Sequence, residues 1–215
     1  MHQYLINSKM RISFSIIILF FLCGNSLSQK WDIYSNIDSL SNIVRPYNYI
    51  TENELSEKFN VFNFNMDKFS LENMSLLPMQ LVTKDKIRLK RVPFYGDYHP
   101  FISEVYFIGK LAINDEKLSH YIFVHILTGI HTKYYLFNFY SGKIVSVLEI
   151  CSNTYSIDFP EFSYRLNSEM NHSERKITLN YDYYDYNYDN KIFKPVEKVS
   201  ISDKGVIRII EKIRY

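Results

Sequence analysis

The eight residues from Phe94 to Phe101 hold the densest set of groups in this chain that could do chemistry. They combine four aromatic rings with one carboxylate and one imidazole. Aromatic walls with a few polar groups suit a small-molecule pocket, and Asp97 could orient His99 as a general base. The candidate ligand-binding residues of this loop are Tyr95, Asp97, Tyr98 and His99. The alternative is a packed turn whose rings cover the end of a sheet, and the abundance of tyrosine elsewhere in the chain favours it.

Three histidines in the middle of the chain raise the question of a metal site. His125 and His131 flank the turn at Thr128-Gly129 and could approach each other. His120 and His125 are an odd number of residues apart, so they should point to opposite faces of one strand. No cysteine or carboxylate completes a recognisable ligand spacing. We therefore expect ordinary strand histidines and no metal ion.

A second candidate metal sequence lies near the C-terminus, in a run of aspartates and tyrosines. The spacing of Asp185, Asn187 and Asp189 resembles the first half of a calcium loop. However, the sixth position is Asn190 where such a loop needs glycine, and the twelfth is Val196 where it needs glutamate. We therefore expect a polar hairpin tip without calcium. The tyrosines of this run offer a surface for a partner, and the candidates are Tyr184, Tyr186 and Tyr188.

Residues 1–28 have the pattern of a secretory signal peptide. Lys9 and Arg11 precede a short apolar run from Ile12 to Cys23. The small residues of Ser26-Leu27-Ser28 then stand where a signal peptidase reads the chain. A membrane-spanning helix needs about 20 apolar residues, which is more than this run supplies. The segment is therefore interpreted as a cleaved leader.

Cleavage would leave a mature chain that begins at Gln29 and contains no membrane span. Such a chain would be secreted or periplasmic. The alternative is a membrane-anchored lipoprotein attached through Cys23. The bulky Leu22 disfavours it, because lipoprotein processing prefers a small residue at that position.

The charge balance of the mature chain argues against a nucleic-acid partner. Of 25 basic residues, Lys9 and Arg11 belong to the leader, which leaves 23 basic against 23 acidic residues. Nucleic-acid binding usually needs a clustered basic excess. A single cysteine remains, Cys151, and it lies in an apolar strand sequence where we expect a buried thiol. Without a disulfide, the fold must depend on its apolar core.

The rest of the chain predicts a mainly β fold. Segments rich in valine, isoleucine, phenylalanine and tyrosine alternate with short turns from Phe101 onward, and such residues suit a half-buried pleated surface. The eight strands expected from Phe101 onward are 102–113, 118–127, 131–140, 143–151, 159–166, 174–184, 193–202 and 206–213, and one or two more are expected between Leu76 and Val92. Helical spacing and capping boxes occur only before about residue 75.

We therefore predict an antiparallel meander of about eight strands with a short N-terminal helical segment. The meander could be barrel-like, a sandwich or one curved sheet. The expected organisation is a signal peptide at 1–28, a helical or extended segment at 29–75 and an antiparallel β domain at 76–215.

This combination of features resembles a broad group of proteins. A leader, a short helical segment and a tyrosine-rich meander are followed by a hairpin reading Ser202-Asp203-Lys204-Gly205-Val206. The pattern is similar to many uncharacterised exported β-rich proteins and lipoproteins of Gram-negative bacteria. The resemblance implies a periplasmic or surface location, and it carries no activity and no site residues.

The function expected from the sequence is binding. No nucleophile elbow, phosphate loop, zinc helix or dinucleotide fingerprint is present, and no cofactor is expected. The leading hypothesis is a secreted, non-catalytic binding or interaction protein of the bacterial cell envelope. Its partner would be an unknown protein or small molecule. One alternative is a small exported hydrolase around Asp97 and His99, since catalytic groups need proximity only in space. Another is a structural or accessory subunit of an envelope assembly.

Overall fold

The computed structural model describes residues 51–87, 101–113, 115–154, 163–184 and 192–213. Tyr49–Tyr215 form one compact unit. The helices and strands of the described residues are α1 (Glu52–Lys58), β1 (Asn63–Phe64), β2 (Lys68–Phe69), α2 (Leu71–Met74), β3 (Gln80–Ile87), β4 (Phe101–Leu111), β5 (Leu118–Leu127), β6 (His131–Tyr140), β7 (Lys143–Thr154), β8 (Ser163–Asn171), β9 (Lys176–Tyr184), β10 (Ile192–Phe193), β11 (Val196–Ile201) and β12 (Ile207–Ile213). The predicted leader, with Cys23 and Gln29, lies outside the described residues.

The described strands form one mostly antiparallel sheet, as the turn pattern predicted. Its order is β1-β4-β5-β6-β7-β8-β9-β11-β12, with β3 on β4, β2 on β8 and β10 on β9. Consecutive long strands from β4 to β9 are neighbours, so the predicted meander is confirmed. The pair β1–β4 is parallel. The sheet does not close into a barrel, which removes one of the three predicted architectures.

The predicted number of strands is wrong: the described residues contain twelve rather than about eight. β1, β2 and β10 have two residues each, and such short bridges have no sequence pattern of their own. The expected strand at 193–202 is divided at Pro195, because proline has no N–H to donate to a sheet. The strand expected at 159–166 extends instead to Asn171, before a turn in which Arg175 has φ of 50°.

Turn chemistry explains the tight connections of the meander. Ser141 and Gly142, between β6 and β7, both have positive φ, at 50° and 79°. A two-residue hairpin loop of that kind matches the right-handed twist of the strands that it joins. Gly205, between β11 and β12, has φ of 77° and donates its N–H to the carbonyl of Ser202. Both turns are where the sequence predicts them.

Helix α1 begins with the predicted capping box. The Thr51 hydroxyl accepts from the Glu54 N–H, and the Glu54 carboxylate accepts from the Thr51 N–H at 2.8 Å. Glu52 then ties the helix to the sheet, because its carboxylate accepts from Lys110 Nζ at 3.2 Å and from the Tyr121 hydroxyl at 2.7 Å. Leu55 is fully buried. The helix thus covers part of one sheet face.

Replacing Thr51 by alanine should lower the free energy of unfolding by about 1 kcal/mol. The Glu54 N–H loses the hydroxyl that accepts it, and the Glu54 carboxylate loses one of the two Thr51 groups that hold it in place. Urea unfolding measures the change. Ser56→Ala in the middle of the same helix is the control, since the Ser56 hydroxyl bonds only to the Glu52 carbonyl one turn earlier. An equal loss in both variants would contradict the capping role.

The opposite face of β5 and β6 is held by a buried polar network. His120 Nδ1 donates to the side-chain oxygen of Asn138. The Asn138 side-chain nitrogen donates to the Ser146 hydroxyl at 2.8 Å and to the Gly205 carbonyl at 3.1 Å. A Cβ at Gly205 would meet side chains of Leu118 and Asn138. The turn between β11 and β12 therefore packs on β5 and β6, so the sheet is bent back over itself.

His120 makes this network sensitive to acid. Burial lowers its pKa to about 4, and the positive charge of Arg175 contributes in the same direction. The unfolded chain, with an ordinary histidine pKa near 6.5, therefore binds a proton that the folded chain does not bind between about pH 4 and pH 6.5. The stability that this neutral histidine contributes is complete above that window and is lost as the pH falls through it.

We expect the free energy of unfolding to fall by up to about 1.4 kcal/mol per pH unit on this account below pH 6.5. The measurement is urea unfolding at pH 7, 6, 5 and 4.5. His120→Gln should make this part of the curve less steep, whatever its effect on absolute stability at pH 7, while His125 and His131 keep their own contributions. An unchanged slope in that variant would show that other groups cause the acid sensitivity.

Neither helix in the described part of the chain has the length and apolar character needed to cross a bilayer.

Candidate functional site

Most residues singled out from the sequence lie outside the described residues. Tyr95, Asp97, Tyr98 and His99 belong to the segment 88–100, and Tyr186 and Tyr188 belong to the segment 185–191. Tyr184 is the last residue of β9, but its side chain is not described. These predictions therefore remain predictions.

Two rows of side chains cross the sheet side by side and bring polar groups from five strands together. Residues directly opposite each other on antiparallel strands point to the same face. The first row pairs Leu127 with both Ser103 and His131, and continues through Thr154 to Tyr164.

The second row is parallel to the first. It runs from Val105 through His125, Lys133 and Ser152 to Leu166. We call the polar members of the two rows, with the adjacent Glu149, the polar face. They are Ser103, His125, His131, Lys133, Glu149, Ser152, Thr154 and Tyr164.

The two histidines that flank the Thr128-Gly129 turn do meet, as their spacing predicts. His131 Nε2 lies 3.1 Å from His125 Nδ1, and His125 Nε2 lies 2.9 Å from the Ser103 hydroxyl. Each imidazole can donate with one nitrogen and accept with the other. The three side chains therefore form a continuous hydrogen-bonded chain from Ser103 to His131.

Both imidazoles of this chain are neutral at physiological pH. Burial lowers the pKa of His125, and the positive charge of Lys133 lowers it further. Burial, Lys133 and His125 together lower the pKa of His131 to about 3. Neutral rings act as both donors and acceptors, so this part of the polar face presents no net charge.

Lys133 and Glu149 form an ion pair at the centre of the polar face. Lys133 Nζ lies 3.3 Å from Glu149 Oε2, and the Tyr164 hydroxyl donates to Oε1 at 2.8 Å. Lys133 Nζ also donates to the Tyr164 oxygen at 3.0 Å. Burial by itself lowers the pKa of Lys133, but Glu149, Tyr164 and Tyr135 together outweigh burial and raise the pKa well above its usual value. The lysine is therefore charged and its charge is balanced.

Two hydroxyl groups of the polar face are buried without a hydrogen-bond partner. They belong to Ser152, which is fully buried, and Thr154. Ser152 stands opposite Lys133, and Thr154 stands opposite His131. A buried hydroxyl without a partner costs about 1–3 kcal/mol, so native proteins satisfy nearly all of them. Each of the two hydroxyls is therefore a buried polar group whose hydrogen-bonding capacity is unused.

Tyrosine rings border the polar face on its β8–β9 side. Tyr164 and Tyr183 have centroids 5.4 Å apart, and Tyr181 and Tyr183 are stacked at 6.0 Å. Burial raises the pKa of Tyr183, and the charges of Glu149 and Glu197 raise it further. Tyr183 therefore keeps its proton at neutral pH.

Glu197 is a second buried carboxylate on this side. It is 1% exposed, and neither of its oxygens has a hydrogen bond. Lys212 Nζ lies 3.2 Å from Oε1, so the charge is compensated by an ion pair without hydrogen-bond geometry. Its Oε2 atom is buried and accepts no hydrogen bond.

The polar face has no metal-binding composition. Within the described ranges, no group of three or more histidine, cysteine, aspartate or glutamate side chains is placed to hold a metal ion. Cys151 is buried on a neighbouring position of β7, as predicted, and burial raises the pKa of its thiol to about 12. It therefore stays protonated and is a packing residue.

Sequence reasoning missed this site because its members come from five strands. The one local signal is alternation in β6, where His131, Lys133 and Tyr135 occur two residues apart and so share a face. The residues of β7 that pair with these three could not be predicted, because the pairing of β6 with β7 has an irregularity in register between Tyr134 and Tyr135. That irregularity places Glu149 and Ser152 on one face, although their odd separation would send them to opposite faces of a regular strand.

No protein-family model, curated protein or solved structure matches the chain.

Proposed function

We propose that this protein is an exported, non-catalytic binding protein of the bacterial cell envelope, and that it holds a small polar ligand on the polar face. The observation that carries the proposal is the pair of buried, unpartnered hydroxyls of Ser152 and Thr154. Both stand opposite groups that also make polar contacts, Lys133 and His131. A rigid sheet with such groups is a suitable platform, because the strands hold the side chains in place without a ligand.

Export is supported by the leader pattern of residues 1–28 and by the balanced charge of the chain that would remain. Binding rather than catalysis is supported by the pairing of the charged groups. Lys133 and Glu149 neutralise each other, and both Glu149 oxygens are already engaged. Neither residue is therefore poised to exchange a proton with a substrate.

A thermal-shift screen of the full chain against a library of small polar metabolites tests this function. Compounds that occupy the polar face should raise the melting temperature of the wild-type protein, because ligand binding stabilises the folded state by mass action. The double variant Ser152→Ala/Thr154→Val should not respond to the same compounds. The matched control is Thr178→Val/Ser200→Ala. It also removes one threonine and one serine hydroxyl, but from the other face of the sheet, on β9 and β11.

The proposal is wrong if no compound shifts the wild-type melting temperature. It is also wrong if the double variant responds as strongly as the control. Mass spectrometry of protein isolated from the native envelope supplies an independent check, because a bound small molecule should be recovered with the wild-type chain.

A second candidate function is an exported serine hydrolase, and the hydrogen-bonded chain Ser103–His125–His131 favours it. In one arrangement of protons, Ser103 donates to His125 Nε2, and His125 donates from Nδ1 to His131. A hydroxyl bonded to a base that is oriented by a third group is the arrangement of an activated nucleophile. It differs from the hydrolase predicted around Asp97 and His99.

Labelling by a fluorophosphonate probe tests the hydrolase. In this reaction the Ser103 oxygen would bond to phosphorus as fluoride leaves, and the hydroxyl proton would pass to His125 Nε2. Labelling should be abolished by Ser103→Ala and strongly reduced by His125→Gln. Ser119→Ala, on the neighbouring strand, is the control. Absence of labelling at pH 8 in the folded wild-type protein would remove this function and leave the binding function in place.

A further inference from the structure

The polar face has no unbalanced charge, and this limits the chemical classes of ligand that it could bind. Lys133 is paired with Glu149, and Glu197 is paired with Lys212. His125 and His131 carry no charge at neutral pH. A carboxylate or phosphate ligand would need uncompensated positive charge or a cluster of donors, and a cationic ligand would need uncompensated negative charge. Neither is present among the described side chains of this face.

The groups that remain for a ligand can both donate and accept. The hydroxyls of Ser152 and Thr154 have no partner, and a hydroxyl offers one donor and two acceptor positions. His131 uses Nε2 toward His125, which leaves Nδ1 as the second ring nitrogen. Groups of this dual character match ligand hydroxyls, which are also donors and acceptors at once. Anions, which only accept, would leave half of this capacity unused.

The bordering groups extend the same argument. The Glu197 Oε2 atom has no hydrogen bond and could accept from a ligand hydroxyl. Tyr164, Tyr181 and Tyr183 form a group of packed rings beside the hydroxyls. The negative faces of aromatic rings favour contact with the weakly positive C–H groups of a saccharide ring. Hydroxyl-matching groups and ring faces therefore occur side by side.

We propose that the polar face recognises a neutral saccharide, a ligand whose hydroxyls satisfy Ser152 and Thr154 while its ring lies against the tyrosines. This inference rests on the proposed binding function and specifies its ligand class. The oligosaccharides of a cell envelope are the source that an exported protein meets, and the same face excludes uronic acids, sialic acids and phosphorylated sugars because it has no spare cation.

The test is a glycan array probed with the full-length mature chain, with neutral oligosaccharides printed beside sialylated, sulfated and uronate-containing ones. We expect binding to a subset of the neutral glycans. The best of these, titrated by calorimetry, should bind equally at low salt and in about 1 M salt, because no net charge is recognised. Ser152→Ala/Thr154→Val should weaken it at least about ten-fold, the effect of losing hydrogen bonds to buried groups.

Two controls keep the result interpretable. Thr178→Val/Ser200→Ala on the opposite face of β9 and β11 should bind as the wild type does. Circular dichroism and melting curves of both double variants establish that each is folded. If Ser152→Ala/Thr154→Val does not fold, Thr154→Val alone, which removes one of the two hydroxyls at nearly constant volume, replaces it and should also weaken binding.

The outcomes separate this inference from the proposed function. Binding that is confined to anionic glycans, or to small anions in the metabolite screen, and that still depends on Ser152 and Thr154 would overturn the saccharide and leave the binding function standing. Neutral-glycan binding that the double variant retains would overturn the assignment of the saccharide to this face. No binding of any glycan or metabolite would overturn both.

Discussion

Replacing Glu149 by leucine should lower the free energy of unfolding by about 3–5 kcal/mol, because it leaves the ammonium group of Lys133 buried without a counter-charge. The lysine side chain is 18% exposed and the glutamate side chain is 13% exposed. The Tyr164 hydroxyl would also lose the carboxylate to which it donates. Urea unfolding at pH 7, followed by circular dichroism, measures the loss.

A double-mutant cycle identifies the cause of that loss. Lys133→Met/Glu149→Leu removes both charges, and apolar residues of similar size often replace a buried pair at little cost or with a gain. We therefore expect the double variant to be more stable than Glu149→Leu alone and close to the wild type. Additive losses in the two single variants would show that the pair does not interact in the folded state.

An exposed pair supplies the control. Lys68 and Glu169 are 3.6 Å apart, and their side chains are 74% and 61% exposed. Ion pairs of this kind contribute about 0–1 kcal/mol, so Glu169→Leu should have little effect. A loss as large as that of Glu149→Leu would indicate that the leucine itself, rather than the unpaired lysine, destabilises the sheet.

Replacing Gly109 by alanine should lower the free energy of unfolding by about 3 kcal/mol, because the added methyl group has no room. A Cβ at this position would lie 2.4 Å from the backbone carbonyl oxygen of Phe62. That oxygen accepts the N–H of Lys110 at 2.8 Å, and the Phe64 carbonyl accepts the N–H of Ala112 at 2.8 Å. The clash is with backbone, so β1 must move away from β4.

Hydrogen exchange at the amides of Lys110 and Ala112 reports this movement directly. Both should exchange much faster in Gly109→Ala. Gly129→Ala is the matched control, since its added methyl group meets nothing within 4 Å and its φ of 78° alone should cost about 1–2 kcal/mol. Protection of both amides in Gly109→Ala at the wild-type level would contradict the close approach of the two strands.

Local features of this protein could be predicted because their causes lie within a few residues. The capping box of α1 needs only Thr51 and Glu54, three residues apart. The hairpin after β6 needs only Ser141 and Gly142 in positive φ. Alternating apolar residues correctly placed most strands and the buried Ile177 and Leu179 of β9. The short strands β1, β2 and β10 could not be predicted, since each exists only because a distant strand passes beside it.

The contact between His125 and His131 depends partly on local sequence and partly on the packing of distant strands. Its possibility follows from the turn that separates the two residues, because residues on either side of a hairpin loop are near neighbours. Their neutral state depends on burial and on Lys133, whose position opposite His125 is a matter of register. The sequence therefore showed that the two rings could approach each other, but not their electrostatic state or the bond to Ser103.

By itself the sequence determined a mainly β, antiparallel meander with a capped helix ahead of it, because hydrophobic alternation, turn residues and caps act over short spans of chain. Only the tertiary structure decided which polar side chains share a face. Ser152 and Thr154 became a candidate site through the register of β6 on β7 and of β7 on β8, and the irregularity beside Tyr135 added Glu149 to them. Register depends on how whole strands bury their apolar faces together, a property of the packed sheet and not of any one segment.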